Sequence, residues 1–302
     1  MPHIELAAEM GADYVAVSFV SSADDIDRAR GLLRKAGSDA SIVAKIERME
    51  AIDNLAEICD TADVIMVARG DLGVEIGDEE LPGLQKLIIR KAIKHNRIVA
   101  TATQMMQSMV ENPIPTRAEV LDVANAVLDG TDAVMLSAET AVGKHPVKVI
   151  EAMNRICLGA ERHFEAEGDV THLNVRFERI DQAIAMAAMF MATNVSVQAI
   201  VALTESGSTA QWLSRVQSAV PIYAFSTNSS SRRKMAMFRD VFPVKQEASS
   251  DDADEVVGEA LRTLLAHGAV KDDDRIIVTM GDQMSKSGGT NTFRFIKLDA
   301  EG

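Results

Sequence analysis

The first half of the chain alternates short apolar runs with longer amphipathic stretches, and this alternation limits the fold more than any other feature. Runs of strand length occupy residues 14–19, 42–47, 64–69, 98–103 and 133–139. Helical patterns occupy residues 24–36, 51–61, 81–95, 117–129 and 147–167. Strands that alternate with helices form parallel sheets. The pattern therefore predicts an α/β fold whose parallel sheet is built from βα repeats.

The second half repeats this pattern on a smaller scale. An Ala- and Met-rich helix is predicted over residues 180–193, and strands are predicted over residues 199–203, 221–226, 275–280 and 293–298. The polar run 168–172 has the composition of a linker. We therefore predict two domains, over residues 1–170 and 171–302, with the smaller α/β domain second.

Charge and cysteine content exclude several classes of function. A formal net charge of −14 opposes binding to nucleic acid and to anionic membranes. Cys59 and Cys157 form no C-x-x-C pair, and the histidines lack the spacing of metal ligands. No apolar run has the length of a membrane span, and the N-terminus lacks a signal-peptide pattern. These features predict a soluble cytoplasmic protein that binds small molecules.

Polar residues gather where the predicted strands end, which is where α/β barrels carry their active sites. They are Lys45 and Glu47, Gly70 and Asp71, Thr103, and Ser137 and Glu139. Residues two apart in a strand share a face, so Lys45 and Glu47 are expected to project together, as are Ser137 and Glu139. A purely structural salt bridge is the alternative interpretation of the first pair.

These residue types suit metal-assisted phosphoryl transfer. Mg²⁺ or Mn²⁺ takes oxygen ligands, and Glu47 and Asp71 could supply two carboxylates. Lys45 could neutralise a transferred phosphoryl group or an enolate oxygen. The backbone N–H groups of Gly70 and Asp71 could bind a substrate carboxylate. Thr103 could add a hydrogen bond, although a threonine bonded only to backbone is the commoner case.

Several longer segments resemble the pyruvate kinase family. The matching segments are Ala16-Val17-Ser18-Phe19, Ala44-Lys45-Ile46-Glu47, residues 66–73, residues 102–106, residues 115–119, residues 122–132 and residues 137–141. The resemblance is to the bacterial type and spans nearly the whole chain. It implies strands four to eight of a (β/α)8 TIM barrel, followed by a smaller regulatory α/β domain. The family's first barrel strands and lid domain are expected to be absent.

The resemblance also implies a reaction and roles for individual residues. The reaction is phosphoryl transfer from phosphoenolpyruvate to ADP, giving pyruvate and ATP in glycolysis. Lys45 would stabilise the phosphoryl group and the enolate, and Thr103 would help to protonate the enolate. Glu47 and Asp71 would bind Mg²⁺ or Mn²⁺, while most ligands of the family's K⁺ would be missing. Ser137 and Glu139 are tied to protonation or to the ordering of water.

The resemblance further implies oligomeric assembly and allosteric control. Subunit contacts near Arg117 imply a homo-oligomer, which is a tetramer in the family. In the family, loops of the second domain bind phosphorylated effectors, and the resemblance implies the same role for the equivalent loops of this chain. The corresponding residues are Thr204, Ser206, Gly207, Thr209 and, in the loop 285–292, Gly289. From the residues alone, an ordinary capped turn between a strand and a helix is the alternative interpretation of this loop.

The sequence thus predicts a pyruvate kinase whose isolated chain is inactive or weakly active, because part of the barrel wall is missing. Two alternatives remain open. One is a metal-dependent lyase acting on a 2-oxo acid, which keeps the same metal and enolate chemistry. The other is a non-catalytic module that binds a phosphorylated effector or another subunit.

Overall fold

A computed structural model of the chain describes residues 2–162, 177–218, 220–247, 252–281 and 289–298. The chain divides into two compact units, Met1–Phe164 and Glu165–Gly302. The linker predicted near residue 170 lies outside the described residues, as do residues 285–288 of the predicted effector loop.

The first unit is built on a parallel sheet of five strands in the order β1-β2-β3-β4-β5. The strands are β1 Tyr14–Val17, β2 Ser41–Ile46, β3 Val64–Ala68, β4 Ile98–Ala102 and β5 Ala133–Met135. Each strand pairs with its sequence neighbours, so that Ile46 of β2 lies beside Val67 of β3. The predicted α/β architecture is confirmed. In the described residues β1 and β5 do not pair with each other, so the sheet does not close into a barrel there.

Helices connect these strands, as the pattern predicted. They are α1 Pro2–Glu9, α2 Ala23–Lys35, α3 Met49–Asp53, α4 Leu55–Thr61, α5 Arg69–Ile76, α6 Leu81–Lys94, a 3₁₀ helix Gln107–Val110, α7 Arg117–Leu128, α8 Ala138–Ala141 and α9 Pro146–Arg162. The helix predicted over residues 51–61 is interrupted at Asn54. Helix α7 begins at a capping box, in which Thr116 and Glu119 satisfy each other's backbone N–H groups.

The apolar face of the sheet packs against these helices. Ile42, Ala44 and Ile46 are fully buried on β2 and contact the buried residues of α2, including Ile26 and Leu33. Alternation along a strand places Lys45 on the opposite face. Burial of the apolar face therefore fixes the register of β2 and determines the direction in which Lys45 projects.

The second unit contains a five-stranded sheet in the order β10-β9-β6-β7-β8, in which only β10 runs antiparallel to its neighbour. The strands are β6 Ala199–Leu203, β7 Ile222–Ser226, β8 Val241–Lys245, β9 Arg275–Gly281 and β10 Thr290–Lys297. The helices are α10 Ile180–Asn194, α11 Ser208–Ser214, α12 Ser229–Met235 and α13 Ala253–Ala266. In the described ranges, no helix has both the length and the apolarity needed to cross a bilayer.

Two predictions for this unit need correction. Strand β8 was not predicted; it contains Pro243 and lies at the sheet edge, where a missing N–H group is tolerated. Residues 290–292 were expected in a loop, but they begin β10 and pair with the end of β9.

Candidate active site

The end of β2 places a lysine and a glutamate next to the residues that follow β1. The Lys45 ammonium donates to Ser18 Oγ over 2.9 Å and forms an ion pair with Glu47 Oε1. Glu47 is 1% exposed, and its Oε2 accepts the backbone N–H of Phe19 at 2.7 Å. The predicted pairing of Lys45 with Glu47 is confirmed. Two hydrogen bonds and one ion pair hold the two side chains in one arrangement.

Ser18 and Phe19 were not singled out as site residues from the sequence. Both follow β1 as Glu47 follows β2, and this equivalent position is the signal that could have identified them. Phe19 adopts a left-handed backbone with φ of 55°, which is unusual for an aromatic residue. Its half-exposed ring lies 4.9 Å from the Arg48 guanidinium carbon. The loop after β1 therefore contributes directly to the site.

The two predicted metal ligands have oxygens that suit a hard divalent cation. Glu47 Oε1 is buried and accepts no hydrogen bond of regular geometry, although it contacts Lys45 as an ion-pair partner. Asp71 is exposed in the first turn of α5 and makes no ion pair with the described residues. Among those residues, no three His, Cys, Asp or Glu side chains are grouped to share a metal. The described chain could thus supply two carboxylates, which is the number typical of Mg²⁺ sites completed by water and substrate.

Gly70 and Thr103, both predicted to contact substrate, contact each other. The Gly70 N–H donates to Thr103 Oγ1 at 2.8 Å, and that hydroxyl donates to Ala102 O at 2.6 Å. Thr103 and Gln104 have φ values of 68° and 52°. Left-handed backbone at a residue other than glycine costs about 1–3 kcal/mol. Such strain persists where surrounding contacts enforce it and is common at functional sites.

Ser137 and Glu139 lie in a different structure from the one predicted. Strand β5 ends at Met135, and Ser137 is the residue that precedes α8, so the two side chains do not share a strand face. The Glu139 carboxylate is fully buried and accepts the backbone N–H groups of Ser137 at 2.9 Å and Met106 at 3.1 Å. Glu139 therefore joins the loop after β4 to the loop after β5. Its implied role in protonation stays a prediction.

The Glu139 carboxylate is expected to make stability depend on pH. Burial raises its pKa, but hydrogen bonds from Ser137 and Met106 outweigh burial and lower the pKa overall. A lowered folded-state pKa stabilises the protein above the unfolded pKa, and this contribution is lost as the pH falls through the folded-state value. We expect Glu139→Gln to lower the free energy of unfolding by about 1–3 kcal/mol near neutral pH.

Urea denaturation at several pH values measures this effect. The difference between the wild type and Glu139→Gln should shrink as the pH falls from the unfolded-state pKa of glutamate, about 4.3, through the lower folded-state pKa of Glu139. Glu151→Gln changes the same chemical group at an exposed position on α9 and serves as the control. A wild-type-to-variant difference that stays constant from neutral to acidic pH would contradict the prediction.

The predicted effector residues form a compact turn between β6 and α11. Thr204 Oγ1 accepts the Gly207 N–H at 3.0 Å, and Gly207 adopts a φ of 87° at the start of α11. The Ser206 hydroxyl accepts the Ser208 N–H at 3.5 Å. These hydroxyl contacts close the turn, and the N-cap residue Gly207 offers no side-chain cap to α11.

Two further predicted effector residues lie near the start of β10. One contacts the first residue of β10, and the other packs against the last residue of β9. Thr209 is buried and shares a 2.6 Å hydrogen bond with Thr290 Oγ1. Gly289 packs closely against Gly281. A Cβ atom added at Gly281 would lie only 2.5 Å from the carbonyl oxygen of Gly289. Effector binding by this region stays a prediction.

Both halves of the chain match family models. Residues 2–150 match the model described as pyruvate kinase, barrel domain, and residues 182–296 match pyruvate kinase, alpha/beta domain. Together the two matches include the strands of both sheets except Lys297, the last residue of β10.

Curated relatives match over nearly the whole chain. Pyruvate kinase II of Salmonella typhimurium is 50% identical over 300 residues, which are 98% of this chain and 62% of the relative. The pyruvate kinases of Buchnera aphidicola subsp. Schizaphis graminum and Haemophilus influenzae are both 48% identical, covering 98% and 92% of this chain and 62% and 59% of the relatives. The chain thus spans about three fifths of the length of these relatives.

Proposed function

Because this chain belongs to the pyruvate kinase family, we propose that it takes part in phosphoryl transfer from phosphoenolpyruvate to ADP, with pyruvate and ATP as products. The observation that carries the proposal is the Lys45 ammonium, held between Ser18 Oγ and the buried Glu47 carboxylate at the strand ends. An overall charge of −14 repels a phosphorylated substrate, so local cations must bind it.

Lys45 has the charge and support that phosphoryl transfer needs. Negative charge on the transferred group and on the departing enolate oxygen is stabilised best by a cation that is already in position. Ser18 and Glu47 hold the Lys45 ammonium in place before substrate binds, so little reorganisation is required. Lys45 is the residue to which we assign this stabilisation.

Glu47 and Asp71 are the residues that we assign to the divalent cation, Mg²⁺ or Mn²⁺. When bound, such an ion neutralises phosphoryl oxygens and orients the substrate. Glu47 Oε1 is a buried oxygen that contacts the Lys45 ammonium but accepts no hydrogen bond of regular geometry, and Asp71 is exposed in the first turn of α5. K⁺ is expected from family membership, and we assign it no ligand in this chain.

Gly70 and Thr103 are the residues that we assign to the substrate carboxylate and the enolate. The Gly70 N–H is engaged by Thr103 Oγ1, so a carboxylate that binds Gly70 must replace that hydroxyl. The released Thr103 hydroxyl could then face the substrate. A proton delivered to the enolate carbon through this hydroxyl or an adjacent water converts enolpyruvate to pyruvate. Ser137, with an exposed position next to α8, could order that water.

Cellular context and assembly belong to the same proposal. A cytoplasmic location agrees with a glycolytic reaction. Assembly into a homo-oligomer, a tetramer as in the family, would use the surface near Arg117 on α7, where Leu121 exposes 64% of its surface. Binding of a phosphorylated effector would use the turn that contains Thr204 and Ser206.

We expect the 302-residue polypeptide alone to turn over slowly. In the described residues, β1 and β5 each pair on one side only, so the site lies on a sheet with two open edges. Imprecise positioning of reacting groups costs about 10²-fold in rate. We therefore expect ATP formation at least about a hundredfold slower than that of the Salmonella relative under the same conditions.

A chimaera tests the function and this expectation together. The part of the Salmonella relative that the chain does not match is joined to the 302 residues in the relative's own order. ATP formation is then measured with each substrate omitted in turn. We expect the chimaera to depend on both phosphoenolpyruvate and ADP and to exceed the isolated chain. A chimaera that folds but forms no ATP would contradict the proposed function. A fully active 302-residue chain would contradict the expected dependence on the part of the relative that the chain does not match.

A further inference from the structure

Arg69, the first residue of α5, carries a buried charge next to the candidate site. It is 7% exposed, and it immediately precedes Gly70 and Asp71. A buried guanidinium costs free energy unless its charge is paired and its N–H groups are hydrogen-bonded; here Nη1 and Nη2 have partners, whereas Nε has none among the described residues. The partners of Arg69 therefore indicate what the burial achieves.

One edge of the guanidinium binds the loop that follows β4. Nη2 donates to Thr103 O at 2.8 Å, reaches Gln104 O at 3.4 Å and lies 2.7 Å from Met105 Sδ. Thr103 and Gln104 are the two consecutive residues with left-handed backbone. The direction of their carbonyl groups depends on that backbone conformation. Arg69 therefore binds the atoms whose positions change when the backbone of this segment changes.

The other edge of the guanidinium is anchored on neighbouring helices. Nη1 donates to Asp122 Oδ1 on α7 at 2.6 Å and reaches Gln85 Oε1 on α6 at 3.4 Å. Gln85 in turn donates to Asp129 Oδ2 on α7 at 3.1 Å. The planar, forked guanidinium can reach carboxylate and carbonyl acceptors at once, which a lysine ammonium cannot do with the same geometry.

Two consecutive residues thus hold Thr103 from two directions. The Arg69 side chain binds the Thr103 carbonyl oxygen, and the Gly70 N–H binds the Thr103 hydroxyl. Since Arg69 and Gly70 are adjacent in the first turn of α5, a shift of one changes the position of the other. We propose that Arg69 is a positioning residue, which holds Thr103 and Gly70 in register for the enolate and carboxylate of the substrate. This inference rests on the proposed function.

The test compares Arg69→Lys with Arg97→Lys. Arg97 also donates to two backbone carbonyl oxygens, those of Cys59 and Asp60, so it is a matched control for the same substitution. The kcat and the KM for phosphoenolpyruvate are measured in the 302-residue chain if it forms ATP, and otherwise in the chimaera. We expect Arg69→Lys to lower kcat about 30- to 100-fold with KM changed less than about threefold, because misplaced reacting groups lose rate rather than binding.

The Arg97→Lys control shows how much kcat changes when an arginine that binds backbone carbonyl groups away from the site is replaced. Arg97→Lys should keep kcat within about twofold of the wild type, since surface changes away from a site leave positioning intact. An Arg69→Lys variant that keeps kcat within about threefold, or that matches Arg97→Lys, would overturn the proposal.

A second measurement does not depend on turnover. Hydrogen exchange in the 302-residue chain should be about tenfold faster at the Gly70 amide and over residues 103–106 in Arg69→Lys, because local opening becomes easier. Unchanged exchange there would also overturn the proposal. If the wild-type proteins form no ATP, the proposed function fails, and this measurement still decides whether Arg69 positions the loop.

A milder variant covers the case in which Arg69→Lys does not fold. Asp122→Asn removes the anchoring charge on α7 but keeps the guanidinium and its contacts with the β4 loop. We expect an intermediate loss of about three- to tenfold in kcat and faster exchange at the Gly70 amide. Wild-type values for both quantities would contradict the anchoring role.

Discussion

Replacing Lys45 with methionine is expected to lower the rate of ATP formation by about 10²–10³-fold, because the transition state loses its positioned cation. The loss should appear in kcat more than in the KM for phosphoenolpyruvate, since the charge that Lys45 stabilises develops during the reaction. The substitution also leaves the buried Glu47 carboxylate without its ion-pair partner. We therefore expect the folded protein to be less stable as well as slower.

A coupled assay on the chimaera and a thermal denaturation curve separate these two effects. Lys245→Met removes the same charged group from an exposed ion pair with Glu247, in the second unit, and serves as the matched control. That control should lose less than about 1 kcal/mol of stability and keep its kcat. A Lys45→Met variant that retains more than about a tenth of the wild-type kcat would remove Lys45 from the proposed mechanism.

Replacing Glu47 with glutamine is expected to weaken binding of the divalent cation about a hundredfold. The amide keeps the volume of the side chain but removes one of the two charged oxygen ligands that the chain is proposed to supply. Mutation of residues that hydrogen-bond to metal ligands commonly lowers the affinity for the metal about 10- to 100-fold. We expect the loss of a direct ligand to lie at the upper end of that range. The rate at saturating substrate should fall as well, because phosphoryl oxygens lose their neutralising ion.

Binding of Mn²⁺, followed by water-proton relaxation, tests this prediction without relying on turnover. Glu50→Gln removes an exposed carboxylate three residues away, in α3, and controls for the change in net charge. We expect its Mn²⁺ affinity to stay within about twofold of the wild type, as exposed charges are screened. Equal affinities of Glu47→Gln and the wild type would show that the cation binds elsewhere.

The arrangement of strands was largely accessible from sequence because burial imposes a simple period. The apolar runs predicted over residues 42–47, 64–69 and 98–103 each overlap a strand that begins and ends within one residue of the predicted bounds. The prediction was wrong at Ser137, because the strand predicted over residues 133–139 ends at Met135 and Ser137 precedes helix α8 instead. A short polar segment can adopt either state, and the tertiary contacts of Glu139 decide between them.

Spacing by itself determined which side chains project from the sheet toward the candidate site. The alternation of β2 places Ile42, Ala44 and Ile46 in the core and leaves Lys45 on the other face, so local pattern was sufficient. The motif around Gly70 and Asp71 likewise indicated a ligand-binding turn after β3, where α5 begins.

Only the tertiary structure decided how these side chains are held. The Glu47 contact with Phe19, the Gly70 contact with Thr103 and the Arg69 contact with Asp122 join residues that are 28, 33 and 53 positions apart. A periodic pattern records which face of its own element a residue occupies, but it does not record which distant loop will meet that face. The left-handed backbone of Thr103 has the same origin, because contacts from other elements, rather than local preference, maintain it.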